Sequence, residues 1–266
     1  MTLLDITLVQ ANLRWEDAPA NRRHLERHVR DAGETDLIVL PEMFSTGFSM
    51  NAAVLAEPMS GPTVTWLRRL AMELKTSICG SMIVADAGGY FNRFLFMRAD
   101  GETIKYDKRH LFRMAKEHEY YNSGTDRPTI ELNGFKLFPQ VCYDLRFPVF
   151  SRNDLGYDVA IYVANWPAAR REHWLALLQA RAIENQSYVV GVNRVGEDGN
   201  GINYSGDSTA FDFGGVSLLP PTEDEGIFHV RLDKTKLASY RTAFPAWQDA
   251  DSFDLGNDRA PVGRPN

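Results

Sequence analysis

The stretch Phe138-Pro139-Gln140-Val141-Cys142-Tyr143-Asp144-Leu145-Arg146-Phe147-Pro148 constrains this chain more than any other. With Phe135 and Leu137 before it, its apolar half predicts a buried strand over Phe135–Val141 that runs straight into a cysteine and a polar turn. A thiol at the carboxyl edge of a sheet stands where α/β proteins meet their ligands, beside backbone N–H groups that the turn leaves free. Cys142 is therefore a candidate nucleophile. Free cysteine is also among the most buried residue types and commonly packs as a small inert hydrophobe, so the assignment depends on what else reaches the same edge.

Two other strand ends carry polar residues. The run Leu37-Ile38-Val39-Leu40 is short, partly β-branched and stopped by Pro41, as a strand covered on both faces would be, and Glu42 follows it. A carboxylate there is costly unless it is solvated, paired or protonated, which makes it a site candidate; the other reading is a loop residue capping the turn at Pro41. The segments 90–98 and 103–106 flank the turn Ala99-Asp100-Gly101 and predict a hairpin, just past which stands Lys108. Asp107-Lys108-Arg109 reads either as an exposed charged turn or as a third polar group delivered to the edge where Glu42 and Cys142 lie.

The rest of the pattern supplies layers around these ends. Helices are expected over 20–32, from Pro62 through Leu74, over 173–185, and from an Asp233 cap to about Ala243. Further strands are expected over 4–10, 77–84, 157–164, 188–193 and 227–232, with a hairpin over 207–219. Cys79 reads as a core residue. The polar stretches 113–121 and 196–206 read as loops. Strands joined partly by helices and partly by hairpins imply mixed sheets in an α/β domain, and no repeat or composition break marks a second one. The aromatic, polar tail from Pro245 is expected to lie on a surface, that of a partner subunit included.

Composition narrows the function. A chain of 266 residues with net charge -6 has no basic stripe for nucleic acid, so a small-molecule substrate is expected and nucleic acid is not. Two cysteines and the absence of a signal-like start or a bilayer-length apolar run predict a cytoplasmic protein with no membrane attachment. No G-x-S-x-G elbow, phosphate loop, H-E-x-x-H or C-x-x-C spacing occurs, and the six histidines are scattered, so no metal or cofactor is expected. A Cys–His pair using His110 or His173 has no support beyond the presence of those residues.

Taken together, Leu40-Pro41-Glu42, Tyr106-Asp107-Lys108-Arg109-His110-Leu111-Phe112 and Val141-Cys142-Tyr143-Asp144-Leu145-Arg146-Phe147 resemble, in order, the nitrilase or carbon–nitrogen hydrolase superfamily. The likeness extends through His173-Trp174 and the segment 180–186 to Gly206-Asp207-Ser208, nearly the whole chain, and is strongest to the bacterial omega-amidase branch, which shares Asn165-Trp166-Pro167. It implies an α-β-β-α sandwich forming one carbon–nitrogen hydrolase domain over 1–266 that assembles as a homodimer or higher oligomer, with 245–266 packed on the partner.

The resemblance also implies a Glu42–Lys108–Cys142 triad acting through a thioester. In it Lys108 favours the thiolate, and Lys108 and the Tyr143 N–H hold the oxyanion. Glu117 is implied as a fourth catalytic residue, with Glu119 as its rival. The substrate would be the terminal amide of a 2-oxo dicarboxylic acid monoamide such as 2-oxoglutaramate. Arg146 would bind its carboxylate unless it is spent on Asp144, and His110, Trp166 and Phe44 would line the pocket. Other amides, carbamoyl compounds or nitriles are the alternative substrates, and a non-catalytic metabolite binder is the alternative class.

Overall fold

Leu37-Ile38-Val39 shows how the layers arise: Leu37 and Val39 face one apolar core and Ile38 faces another, so the strand is buried on both sides. The computed structural model describes residues 2–256, and within them this strand lies inside one of two six-stranded sheets. In chain order the strands are β1 (Leu3–Gln10), β2 (Leu37–Val39), β3 (Ser77–Asp86), β4 (Gly89–Met97), β5 (Thr103–Asp107), β6 (Ile130–Leu132) and β7 (Phe135–Val141). They continue with β8 (Val159–Ala164), β9 (Tyr188–Asn193), β10 (Val195–Glu197), β11 (Asn203–Ser205), β12 (Thr209–Phe211), β13 (Ser217–Leu219) and β14 (Gly226–Asp233).

The first sheet runs β14-β1-β2-β3-β4-β5 and the second β13-β12-β9-β8-β7-β6. Each is mixed: β1, β2 and β3 are parallel, as are β7, β8 and β9, and the outer strands join by antiparallel pairing. Period-2 alternation sends Leu4, Ile6, Leu8, Phe94 and Phe96 into the core between the sheets, where they meet Leu137, Val141 and Val163. The intervening side chains of the first sheet, among them Val9, Leu95 and Met97, face Leu25, Val29, Val64, Leu67 and Leu70 of helices Ala18–Asp31 and Pro62–Leu74. Helix Arg171–Asn185 covers the second sheet through Trp174, Leu178 and Ala182. Gly191 permits this close approach, because a Cβ there would lie 2.5 Å from Leu178 and 2.8 Å from Trp174. The result is the expected α-β-β-α sandwich.

Two polar stretches expected to be loops are structured. Residues 113–121 hold a 3₁₀ turn (Arg113–Ala115) and a one-turn helix (Glu117–Tyr120). The glycine-rich 196–206 contains most of a two-stranded ribbon, with Gly196 opposite Tyr204; Asp198 stabilises it by accepting from the Asn200 and Ile202 N–H groups and the Tyr204 hydroxyl. Asp233 caps helix Lys234–Ala243 by accepting from the Thr235 and Lys236 N–H groups, as expected. The tail begins in contact with Gln186, which donates to the Phe244 carbonyl and accepts from the Trp247 N–H; residues 257–266 of that predicted segment lie outside the described residues. No helix among the described residues is long and apolar enough to cross a membrane.

Candidate active site

The chain leaves β2 through Leu40 and Pro41, leaves β5 at Asp107, and leaves β7 at Val141; the next few residues of each meet at one end of the sandwich. Asn165, the residue after β8, ties the two sheets together there. Its backbone N–H donates to Glu42 Oε2 at 2.8 Å and its side-chain amide to the Glu42 carbonyl at 2.6 Å. Glu42, Lys108 and Glu117 are wholly buried. Lys108 Nζ stands 2.8 Å from Glu42 Oε1 and 3.0 Å from both oxygens of Glu117. Burial on its own would strip the lysine's proton, but the charges of Glu117 and Glu42 outweigh it and raise the ammonium above its ordinary value.

Lys108 is held by its neighbours on the chain as well. Its N–H donates to Asn92 O and its carbonyl accepts from Gly124 N–H. Gly124 cannot carry a side chain here, since a Cβ would lie 2.1 Å from the Asp107 carbonyl oxygen. Glu117 and Glu119, two residues apart on a single helical turn, have different fates: Glu119 is exposed, and Glu117 turns inward, also accepting from the Phe112 N–H at 2.6 Å. Burial, opposed by Lys108, pushes the Glu117 carboxyl up.

Sequence reasoning missed the residue between the two carboxylates. Asn92 donates to Glu42 Oε1 at 2.8 Å and to Glu117 Oε1 at 3.2 Å. Its amide orientation is set by Ser81, whose hydroxyl donates to Asn92 Oδ1 and accepts from the Met43 N–H. Asn92 lies in an apolar strand, and a lone asparagine there gave no signal beyond its misfit with Phe91 and Phe94.

Cys142 opens a 3₁₀ turn, Cys142–Arg146, with φ at +46°. This left-handed conformation is disfavoured for a side-chain-bearing residue and persists where the surroundings enforce it. Asp144 does the enforcing: one oxygen accepts from the Tyr106 hydroxyl (2.7 Å) and the Val141 N–H (3.0 Å), the other from the His110 N–H and ring Nδ1. The first N–H groups of such a turn have no partner inside it, so that of Tyr143 is free to serve a ligand. Burial and the adjacent Glu42 charge push the Cys142 thiol well up; Lys108 pulls the other way, as expected from the sequence, but is outweighed. Burial and Glu42 thus favour the thiol over the thiolate.

Cys142 lies in the wall of a cavity of about 710 Å³. Tyr143, Arg146 and Trp166 share that wall, as expected. His110 and Phe44 do not. His110 is spent on Asp144 and stacks flat on Phe147 at 3.8 Å, behind the nucleophile turn. Phe44 is fully buried beneath the first sheet against Trp66, and it is Phe48, one turn of loop further on, that reaches the cavity and places its ring 5.1 Å from Lys108 Nζ.

Arg146 is not spent on Asp144, whose oxygens have other partners. Its guanidinium lies over Trp166 at 4.7 Å and near His173 Nδ1 at 3.2 Å. Arg170, unforeseen from the sequence, lies over Phe112 at 5.6 Å in the same wall. Burial and the Arg170 charge hold the Arg146 guanidinium below its ordinary value. Among the described residues neither arginine has a carboxylate within ion-pair distance, so the cavity presents two unneutralised cations to whatever enters it.

The carbon–nitrogen hydrolase family model matches residues 5–242. The chain is 48% identical over 256 residues to Omega-amidase YafV of Yersinia enterocolitica, covering 96% of this chain and 100% of that protein. It is 31% identical over 250 residues to 2-oxoglutaramate amidase of Bacillus subtilis, covering 92% and 96%. The structure of XC1258 from Xanthomonas campestris, a CN-hydrolase superfamily protein with an arsenic adduct in the active site, superposes with a TM-score of 0.94 at 46% identity, covering 96% of this chain and all of that one.

Proposed function

Because this chain belongs to the carbon–nitrogen hydrolase family, we propose that its cavity hydrolyses the terminal amide of a 2-oxo dicarboxylic acid monoamide, releasing ammonia and the 2-oxo diacid. The chain is an omega-amidase, in keeping with its 48% identity to such enzymes over nearly its full length. One observation carries the reading to these residues: a thiol in the wall of a cavity is backed by a buried carboxylate and a buried ammonium, and the same wall holds two arginines without acid partners.

In this mechanism Glu42 takes the Cys142 proton as the sulfur attacks the amide carbon, so that thiolate forms only as it reacts. The tetrahedral oxyanion is held by the Lys108 ammonium and the Tyr143 N–H. Protonated Glu42 gives its proton to the departing nitrogen, ammonia leaves, and the acyl group stays on sulfur as a thioester. Glu42 then takes a proton from water, whose oxygen attacks the thioester; collapse frees the acid, and the proton returns to sulfur. Glu117 is a positioning residue that keeps Lys108 in place and charged.

Arg146 takes the substrate carboxylate as a planar two-pronged donor, with Arg170 beside it. A neutral amide of the same length lacks this pairing. The enzyme works in the cytoplasm as a homodimer; exposed Phe244 and Trp247 at the start of the tail favour burial against a second copy, and light scattering would return twice the chain mass.

The substrate assignment is tested by comparing kcat/KM for 2-oxoglutaramate with that for glutamine, glutaramate, simple amides and a nitrile. A preference of about a hundredfold or more for the oxo-acid amide supports it. Equal or better turnover of an uncharged amide or a nitrile would keep the chemistry and overturn the substrate.

A further inference from the structure

His24 and His28 stand four residues apart on helix Ala18–Asp31 and so project from one face. The fold brings a third ligand-type side chain to them from the far end of the chain: Glu225, just before β14. The imidazole nitrogens and the carboxylate oxygen lie within 4.8 Å of one another. We infer that His24, His28 and Glu225 form a three-ligand site for a divalent transition metal ion of the zinc type, with water in the fourth position.

Two of the three ligands are already oriented. His28 donates from Nδ1 to the His24 carbonyl at 3.2 Å, leaving its Nε2 lone pair bare and 3.9 Å from Glu225 Oε1; a second hydrogen bond on the far nitrogen is how metal-bound imidazoles are usually held. Glu225 accepts from the Asn12 N–H at 2.9 Å, and its loop is pinned by Gln10, which donates to the Thr222 and Asp224 carbonyls. The separation His24 Nε2 to Glu225 Oε1 is 2.5 Å. Neighbouring ligand atoms in a tetrahedral zinc site stand roughly 3.3 Å apart, given metal–nitrogen bonds of about 2.0 Å, so small side-chain rotations around these positions open the required gap. The two histidine side chains are 16% and 18% exposed and that of Glu225 36%, sheltered but reachable.

The third ligand is gated. Arg27 Nη2 lies 3.1 Å from His24 Nδ1, and a guanidinium only donates, so Nδ1 accepts and the His24 proton sits on Nε2, pointing at Glu225. Coordination through Nε2 takes the other tautomer, with the proton moved to Nδ1, and Arg27, which donates to Nδ1, has to swing away. Arg27 is exposed, so only one surface hydrogen bond is lost. The ion would clamp helix Ala18–Asp31 to β14. None of the three residues lines the Cys142 cavity, so the site adds stability and leaves catalysis alone.

The test titrates zinc into untagged, chelator-treated protein carrying Cys142→Ala, which removes the competing accessible thiol. One equivalent should bind and raise the melting temperature. In that background His28→Gln and Glu225→Gln should each weaken binding by about tenfold or more and abolish the thermal shift, while Arg27→Gln should tighten it. Circular dichroism of the variants should match the parent. In protein that retains Cys142, His28→Gln should leave ammonia release within about twofold. Absence of stoichiometric binding, or binding that His28→Gln and Glu225→Gln leave unchanged, would overturn the site; weaker binding in Arg27→Gln would overturn the gate.

Discussion

Lys108 Nζ stands 2.8 Å from Glu42 Oε1, and neither side chain reaches solvent. With Glu117 on its other side the lysine is locked as a cation, and in the proposed mechanism the protons pass through Glu42. Removing it leaves two carboxylates facing each other without a counter-charge. Lys108→Met is predicted to lower kcat on 2-oxoglutaramate by about a thousandfold through loss of an oxyanion donor. It should also destabilise the fold by about 3–5 kcal/mol, the usual cost of breaking a buried ion pair. Stopped-assay kinetics and urea unfolding check both.

Burial and Glu42 raise the Cys142 thiol, so lowering the proton concentration generates thiolate only as pH climbs through that raised value. Thiolate absorbance near 240 nm, read against Cys142→Ala, should therefore show no step in the neutral range. A step near neutrality would mean a resting thiolate and would rule out the concerted proton transfer to Glu42.

Asn92 bridges Glu42 and Glu117. Asn92→Leu keeps the bulk and removes both donors, also leaving the Ser81 hydroxyl without its acceptor. The expected result is a kcat about tenfold or more lower with KM little changed, and a stability loss of about 1–3 kcal/mol. Asn92→Asp, which adds a third carboxylate, should be worse than Asn92→Leu in kcat. A purely structural asparagine would give the stability loss without the ordering in kcat.

Arg146→Met should cut kcat/KM for 2-oxoglutaramate by about a hundredfold, the range for a charged hydrogen-bonded pair at a binding surface, and leave a simple aliphatic amide within a few fold. Arg170→Met should act in the same sense and more weakly, since Arg146 holds the closer place to the nucleophile in the chain. Equal losses on both substrates would deny the arginines a role in reading the carboxylate.

The parts of this architecture legible in the sequence are those set by periodicity. Leu37-Ile38-Val39 and Phe135–Val141 announced buried strands, and the polar residue after each fell at the shared edge. What stayed hidden depends on side-chain direction inside irregular backbone. Phe44 and Phe48 are four residues apart in one loop, and only the path of that loop sends the first into the core and the second to the cavity. The family resemblance implies a pocket position for His110, whereas Asp144 draws it behind the turn. Glu117 and Glu119 are chemically equal in sequence, and a single helical turn separates them into a buried carboxylate and a solvated one. Asn92 and Ser81 were invisible because a polar residue in a strand reads as a solvent-facing position until both faces are known to be covered.

The most direct test of the central claim is ammonia release from 2-oxoglutaramate by the purified protein beside its Cys142→Ala variant. The account predicts sustained turnover by the first and none above the uncatalysed rate by a folded second. Turnover that survives in Cys142→Ala would contradict it, because the reaction would then not pass through that sulfur.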